Sequence, residues 1–449
     1  MNLLVFISMA QAFCGFYAGG AGSDLFNNAT MVVMMRQGSR TVLSMQNNYE
    51  GPPKDFAMVV PVPVILKEEE VKTLPKDIFQ KVDTMAAPRL VEYWEVDPCR
   101  QYDGVLDFSA GSAPPSVAMR RKGGPPLERK VIIEAQFQVA EYDIVILSAK
   151  EAGALDKWLR KNNYNIPAGS KELYKPYIAS GQYFFVAKVN TKKFSMNNGQ
   201  ATLSPLRFHY DSDTFELPIR LGLINAKDSQ DLIVHILAQD RYEVANMNNV
   251  TIPTNIQLTK ESKSQFSSFY SELFDQTMAQ NPKSVVTEYA WAANTCDPCP
   301  APSLNMTDFK TLGGDVVPLN NRGQQLVLTR LHTRYTKETL GDDLIFKKAS
   351  PIAGGREVIK DSSKRGELEE GAVSSSYNNF QGRYIIRYPW EGPVSCSDPR
   401  YGIWGGPNGG SPQTNVALET AFAPKSTLPL EDLIAEDIPE LNIKAKSKK

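Results

Sequence analysis

The chain has 449 residues, 42% hydrophobic and 22% charged, which is enough apolar material for a large core and excludes a disordered or fibrous protein. Lys plus Arg number 49 against 50 for Asp plus Glu, so the net charge of -1 gives no field to draw the protein onto nucleic acid. No nucleic-acid partner is expected.

The first residues carry an export signal. Leu3 to Ala10 ("LLVFISMA") are apolar, and Ala10-Gln11-Ala12 has the small-x-small pattern read by signal peptidase, so the mature chain is expected to begin near Phe13. The leader lacks a charged start and is short, which suggests an encoded start upstream of this methionine. Phe13 is too bulky to precede a lipid-anchored Cys14. No later stretch approaches the ~18 apolar residues of a membrane span. The localisation expected is secreted, periplasmic or cell-envelope associated, with an unknown envelope or extracellular partner.

From there, "TMVVMMR" and "RTVLSM" flank "QGS", a hairpin with Gly38 in the turn. "DFAMVVPVPVIL" is a strand that must end, or lie at an edge, at Pro61 and Pro63, because each lacks a ladder donor. The segment "EEVKTLPKDIFQKVDTMAAPRLVEYWEV" is expected to be mostly helical, broken at Pro75 and Pro88. Residues 109–127 are rich in Gly, Pro and Ser and fit a linker.

"KVIIEAQFQVA" alternates as a half-buried strand, and "YDIVILSA" is a strand covered on both faces. Ser148 with Glu151, and Ser262 with Gln265, match capping boxes that predict helix starts. The second helix should bury Phe266, Phe269, Tyr270, Leu273, Phe274 and Met278, and end at Asn281-Pro282. "QYFFVAKVN", "LRFHY", "FELPIRLGLI", "LIVHILA", "QLVLTRLHTRYT" and "GRYIIRYPW" read as strands. The order fits an α+β fold with mixed or antiparallel sheets, a few amphipathic helices and two or three packed subdomains. In residue ranges, 1–12 are the signal, 13–108 an N-terminal α+β region, 128–300 a central α+β region, and 301–415 a β-rich region. Residues 350–379 are expected as a mobile loop and 416–449 as a polar tail.

Common catalytic signatures are absent from the sequence: no G-x-S-x-G, no H-E-x-x-H and no phosphate-cradling G-x-x-x-x-G-K-[ST]. The three histidines are His209, His235 and His332; the first two lie in apolar strands and suit structural roles, while His332 is the least constrained by its neighbours. Asp211 and Asp213 have the spacing of a calcium loop but lack its Gly and distal Glu, so a turn is expected; "GDDL" at 341–344 reads the same way. Asn28, Asn249 and Asn305 head N-x-T triplets that matter only in a glycosylating host. No cofactor and no metal are expected.

Chemistry then rests on the cysteines: Cys14, Cys99, Cys296, Cys299 and Cys396. After export, two disulfides with one cysteine left over is the simplest count, with connectivity open. Cys296-Asp297-Pro298-Cys299 is the one C-x-x-C. As half a zinc site it would need distant partners such as Cys396 and His332. As a redox pair it has the proline of thioredoxin-like motifs, but Pro300 and Pro302 follow directly and oppose the helix that would activate a thiolate. The expected role is structural, with Cys296 and Cys299 bonded to each other or to Cys14, Cys99 or Cys396. A thiol–disulfide oxidoreductase using Cys296 and Cys299, or a hydrolase with an unrecognised acid/base site, are the alternatives to a binding or structural protein.

The segments "FCGFY", "LFNNATMVVMMRQGSRTVLSMQNNYEGPPKDFAMVVPVPV", "APRLVEYWEVDPC", "AEYDIVILSA", "YFFVAKVN", "LPIRLGLINA", "VVTEYAWAANTCDPC", "LTRLHTRYTKETLGDDLIF" and "NNFQGRYIIRYPW" together resemble a bacterial family known as domain of unknown function 2330. The resemblance runs from about Cys14 to about Trp404. It implies a secreted or envelope protein with cysteines at these places, and no assigned activity.

Overall fold

The computed structural model describes residues 16–20, 29–46, 48–50, 57–100, 131–166, 169–190, 196–197, 200–224, 229–318, 326–358, 367–369, 371–407, 413–417 and 428–446. The expected leader at 1–12, Cys14, Asn28 and the expected linker at 109–127 lie outside them. In chain order the longer elements are β1 (Phe16–Gly20), β2 (Ala29–Gln37), β3 (Arg40–Met45), β4 (Ala57–Val62), α1 (Asp77–Ala86), β5 (Arg89–Glu95), β6 (Val131–Val139), β7 (Tyr142–Ala149), α2 (Ala152–Lys161), α3 (Ser170–Ala179), β8 (Tyr183–Val189), β9 (Leu206–Asp211), β10 (Gln230–Ala238), α4 (Phe266–Gln280), β11 (Ser284–Ala292), β12 (Val327–Tyr335), β13 (Asn379–Gln381) and β14 (Arg383–Tyr388). The fold is α+β.

Three sheets carry the architecture. The largest runs β13-β11-β12-β10-β2-β3-β9 through its middle, antiparallel except where β10 meets β2. Side chains alternate across these strands, so one row faces each way. Val32, Met34, Leu43, Leu232 and Val234 meet Val60, Ile144, Ile146 and Phe185 of a six-stranded sheet containing β1, β4, β8, β7 and β6. Met31, Val33, Met35, Val42 and Ile233 point the other way and pack on Ile78, Phe79, Val82 and Met85 of α1. The third sheet pairs β14 with β5 in parallel, and α4 buries its apolar stripe against Leu90, Tyr384 and Ile386 from it.

The Gly38 hairpin forms between β2 and β3, with Gly38 at φ +56°, a backbone region that favours glycine. β4 does not end at Pro61 but runs through it to Val62, with Pro61 standing opposite Phe184 of β8. α4 buries Phe266, Phe269, Tyr270, Leu273 and Phe274 and ends before Asn281. In β6 a bulge between Ile133 and Ala135 breaks the alternation and turns Ile133 outward, 41% exposed.

Several expectations are corrected. After Pro88 the chain forms β5, not helix, because "RLVEYWE" is rich in residues that suit a pleated, buried surface. Neither capping box closes. Ser148 belongs to β7 and donates to Glu134, while Ser262 sits within a 3-10 turn and donates to the Leu433 carbonyl. Residues 350–379 contain Ile352–Gly354, which pairs with β13, and Val373–Ser374, which pairs with Ile352–Gly354. The tail is anchored rather than solvated along its length: Leu430, Leu433, Ile434, Ile438 and Leu441 are buried in the same cluster as the α4 stripe. The sheets also draw strands from all three linear regions, so those ranges are not separate packing units. Among the described residues, no helix is long and apolar enough to cross a membrane.

Candidate functional site

His332 is not loosely placed. It lies on β12 with Arg330 and Arg334, and residues two apart on a strand share a face. Beside them, β11 carries a bulge between Thr287 and Tyr289, so Glu288 is the extra residue and its side chain reaches both neighbours. The Arg330 guanidinium donates to Glu288 at 2.5 Å and also to Asp83 of α1. His332 Nδ1 donates to Glu288 at 2.7 Å, the Tyr270 hydroxyl from α4 donates to the same oxygen, and the His332 ring stacks on Phe274 at 3.7 Å. Arg334 makes a paired contact with Asp231 at 2.6 and 2.8 Å and another with Asp275.

Glu288 and Arg330 are 0% exposed and His332 is 1% exposed. Burial works against ionisation of Glu288, yet the adjoining His332 and Arg330 hold its carboxyl down to about 2. Burial equally opposes the Arg330 charge, and Asp83 with Glu288 reverses that and raises it. His235, against Arg330 at 3.5 Å, is pushed well below its ordinary value by burial and then by that guanidinium, so it is neutral. A network this sealed ties α1 and α4 to the large sheet. It offers no open face at which a substrate and a water could meet, so it lends nothing to a hydrolase. Glu288 itself gave a sequence signal that went unread: one acid inside the apolar "SVVTEYAWA", opposite a strand with cations at every second position.

The cysteines form two bridges. Cys99 joins Cys396 across a sequence separation of 297, with Cα atoms 5.4 Å apart, and Cys296 joins Cys299 with Cα atoms 4.9 Å apart. Cys396 and His332 therefore do not complete a zinc set with the C-x-x-C, and among the described residues no cluster of metal-ligating side chains occurs. His209 lies half-buried in β9, and Asp211 at the end of that strand pairs with Arg40 at 2.7 Å, ahead of a turn. Asn305 caps the short helix Met306–Phe309, and Asn249 is bonded to the backbone at Val244.

Each bridge adjoins a groove. The first, about 690 Å³, is lined by Trp94, Tyr388 and Trp390 with Lys260, Glu95 and Asp97. Trp94 and Tyr388 stack at 4.8 Å, and the Lys260 ammonium sits 5.1 Å from the Tyr388 centroid. Gly392 lies so close to Trp390 that an added Cβ would fall 2.4 Å from the indole, so a side chain there would have to displace the ring. Glu95 accepts from the Trp390 and Gly402 amides and fixes the backbone beside it. Sequence reasoning missed this groove because its walls come from positions almost 300 residues apart.

The second groove, about 630 Å³, opens where the ends of β10 and β11 and the starts of β12 and β13 converge. Its lining includes Asp240, Arg241, Trp291, Cys296, Tyr377 and Asn379. Cys296 is half-buried and packs on the α1-side core, whereas Cys299 is exposed. No helix follows Cys299 until Met306, so the thiol lies at no helix N-terminus.

No curated protein and no solved structure matches the chain. A family model described as an uncharacterized protein conserved in bacteria matches residues 8–347, about three quarters of the sequence, and stops before β13, β14 and the Trp390 segment. With its C-x-x-C, its Glu288 bulge and its Gly38 hairpin all inside those limits, the chain belongs to the bacterial family of domain of unknown function 2330.

Proposed function

We propose that the protein acts outside the bacterial cytoplasm as a binding protein of the cell envelope, with its ligand in the Trp94–Tyr388–Trp390 groove. The observation that carries this reading is the groove itself: the stacked Trp94 and Tyr388 rings and the Trp390 indole lying over Gly392, rimmed by Lys260 on one side and Glu95 and Asp97 on another. Flat apolar faces edged by hydrogen-bonding groups suit a saccharide, whose ring faces are apolar and whose rim is hydroxyl and amide. The apolar leader and the two disulfides support an oxidising location.

The experiment is calorimetric titration of the full-length mature protein with soluble glycan fragments from a muramidase digest of bacterial cell wall. Saturable binding that weakens at least tenfold in Trp390→Ala is expected. Absence of heat at millimolar fragment, or binding indifferent to Trp390→Ala, overturns the assignment. Recovery of the native protein from the cytoplasm with Met1 retained overturns the location.

A further inference from the structure

The loop that carries the Cys296–Cys299 bridge is also held by five hydrogen bonds. Residues 294–303 are closed at the base by Ala293 N–H donating to Leu326 at 2.7 Å, Leu304 N–H to Ala293 at 3.2 Å and Ser303 Oγ to Asn294 at 2.9 Å. At the tip, the Asp297 carbonyl accepts from Gln381 at 2.6 Å and the Pro298 carbonyl accepts from Arg89 at 2.7 Å. Arg89 and Gln381 are buried, and each is tied elsewhere, Arg89 to Met85 of α1 and Gln381 to Gly355. These bonds hold the loop from outside the C-x-x-C, and the bridge stands beside a groove with one sulfur in solvent.

We infer that Cys296 and Cys299 are a thiol–disulfide exchange pair that reduces or reshuffles disulfides of extended polypeptide segments seated in the adjoining groove. Cys296 lines the groove and Cys299 stands exposed outside its wall, so Cys299 is the sulfur that meets a substrate disulfide at the groove's edge and half-buried Cys296 is the resolving one. The direction follows from the surroundings. A strongly oxidising pair needs its thiolate stabilised, as at a helix N-terminus, and here no helix follows Cys299. A loop that keeps two thiols juxtaposed instead favours closing the bridge, which makes the dithiol an electron donor. The groove supplies amides, a carboxylate and a guanidinium at Asn378, Asn379, Asp240 and Arg241 for a peptide backbone, and Trp291 and Tyr377 for side chains.

The steps balance without a metal or cofactor. Cys299 thiolate attacks one sulfur of substrate R–S–S–R′, forming Cys299–S–R and releasing R′–S⁻, which takes a proton. Cys296 thiolate then attacks the Cys299 sulfur, the Cys296–Cys299 bond forms, and R–S⁻ leaves and is protonated. Two electrons have passed to the substrate. An external dithiol restores the pair by the reverse exchange and is itself oxidised to its disulfide.

The test uses the full-length protein with dithiothreitol as that dithiol, followed by alkylation and peptide mass measurement. Cys296–Cys299 should open without denaturant at least a hundredfold faster than Cys99–Cys396 in the same molecule. Cys296→Ser should trap glutathione on Cys299 when offered glutathione disulfide, and Cys299→Ser should trap none on Cys296. Insulin should be reduced at least tenfold faster by the wild type than by the Cys296→Ser/Cys299→Ser double variant. Tyr377→Ala should slow insulin reduction at least fivefold more than it slows reduction of glutathione disulfide. The inference is overturned if the pair opens only on denaturation, or if wild type and double variant reduce insulin equally. An equal loss on both substrates in Tyr377→Ala overturns the seating of the peptide in the groove.

Discussion

The two disulfides differ in what they are asked to do. Cys99–Cys396 links chain ends of β5 and the segment after β14, strands already paired in register from Arg89–Arg383 to Trp94–Tyr388, and it fastens that pair across 297 positions of sequence. Cys296–Cys299 spans three positions in a loop that five hydrogen bonds already shape. The first limits the unfolded chain greatly, the second hardly at all. A bridge is therefore judged structural by the chain it closes and the support around it, and not by being oxidised.

The largest expected effect is on the long bridge. Replacing both Cys99 and Cys396 with Ser should lower unfolding free energy by about 5 to 6 kcal/mol in the chain-entropy account. Denaturant midpoints measured on oxidised protein check it. A loss no greater than that of the short bridge would erase the contrast.

A non-covalent clamp sharpens the comparison. Glu288→Gln leaves the Arg330 guanidinium buried with half its charge partners gone, which should destabilise by roughly 3 kcal/mol or more. The pH dependence has a definite sign. The Glu288 carboxyl is depressed from 4.5 to about 2 in the fold, so its contribution is complete above pH 4.5 and is lost as pH falls towards 2. In denaturant titrations across that window, wild type should weaken more steeply than Glu288→Gln. Parallel curves would mean that the fold does not lower the Glu288 carboxyl below its unfolded value.

How much of this was legible in the sequence depends on distance along the chain. The Gly38 turn, the α4 stripe and the Asn281 stop were readable because each is decided by neighbours within a few residues. The capping boxes misled because Ser148 and Ser262 found partners at Glu134 and Leu433, and tertiary bonds outweighed local ones. In the tail, Leu430, Leu433, Ile438 and Leu441 are spaced among acids, so their burial shows only when α4 is placed beside them. The C-x-x-C was visible at once, but its use was not: Gln381 and Arg89, which hold it, and Tyr377, which faces its groove, lie roughly 80 to 210 residues away.

The short bridge comes next in size. The Cys296→Ser/Cys299→Ser double variant should lose roughly 2 kcal/mol at most, less than half the loss at Cys99 and Cys396, because so small a loop constrains little. A loss matching the long bridge would make Cys296–Cys299 a staple after all and remove the reason to look for exchange chemistry there.

The most specific effect concerns Gln381. This side chain is 1% exposed and donates to the carbonyls of Asp297 and Gly355, so Gln381→Leu leaves two acceptors without their donor while keeping bulk. The general cost is about 1 to 3 kcal/mol of stability. The informative quantity is different. If Gln381 and Arg89 preset the loop, part of that energy is coupled to the closed bridge, since opening the disulfide in wild type leaves the sulfurs together and opening it in the variant lets them part. Each 1.4 kcal/mol of coupling moves the equilibrium tenfold. In buffers of reduced and oxidised dithiothreitol, Gln381→Leu should therefore shift Cys296 and Cys299 towards the dithiol by several-fold while Cys99–Cys396 does not move. An unchanged equilibrium at Cys296–Cys299 would show that the loop follows the bridge instead of presetting it.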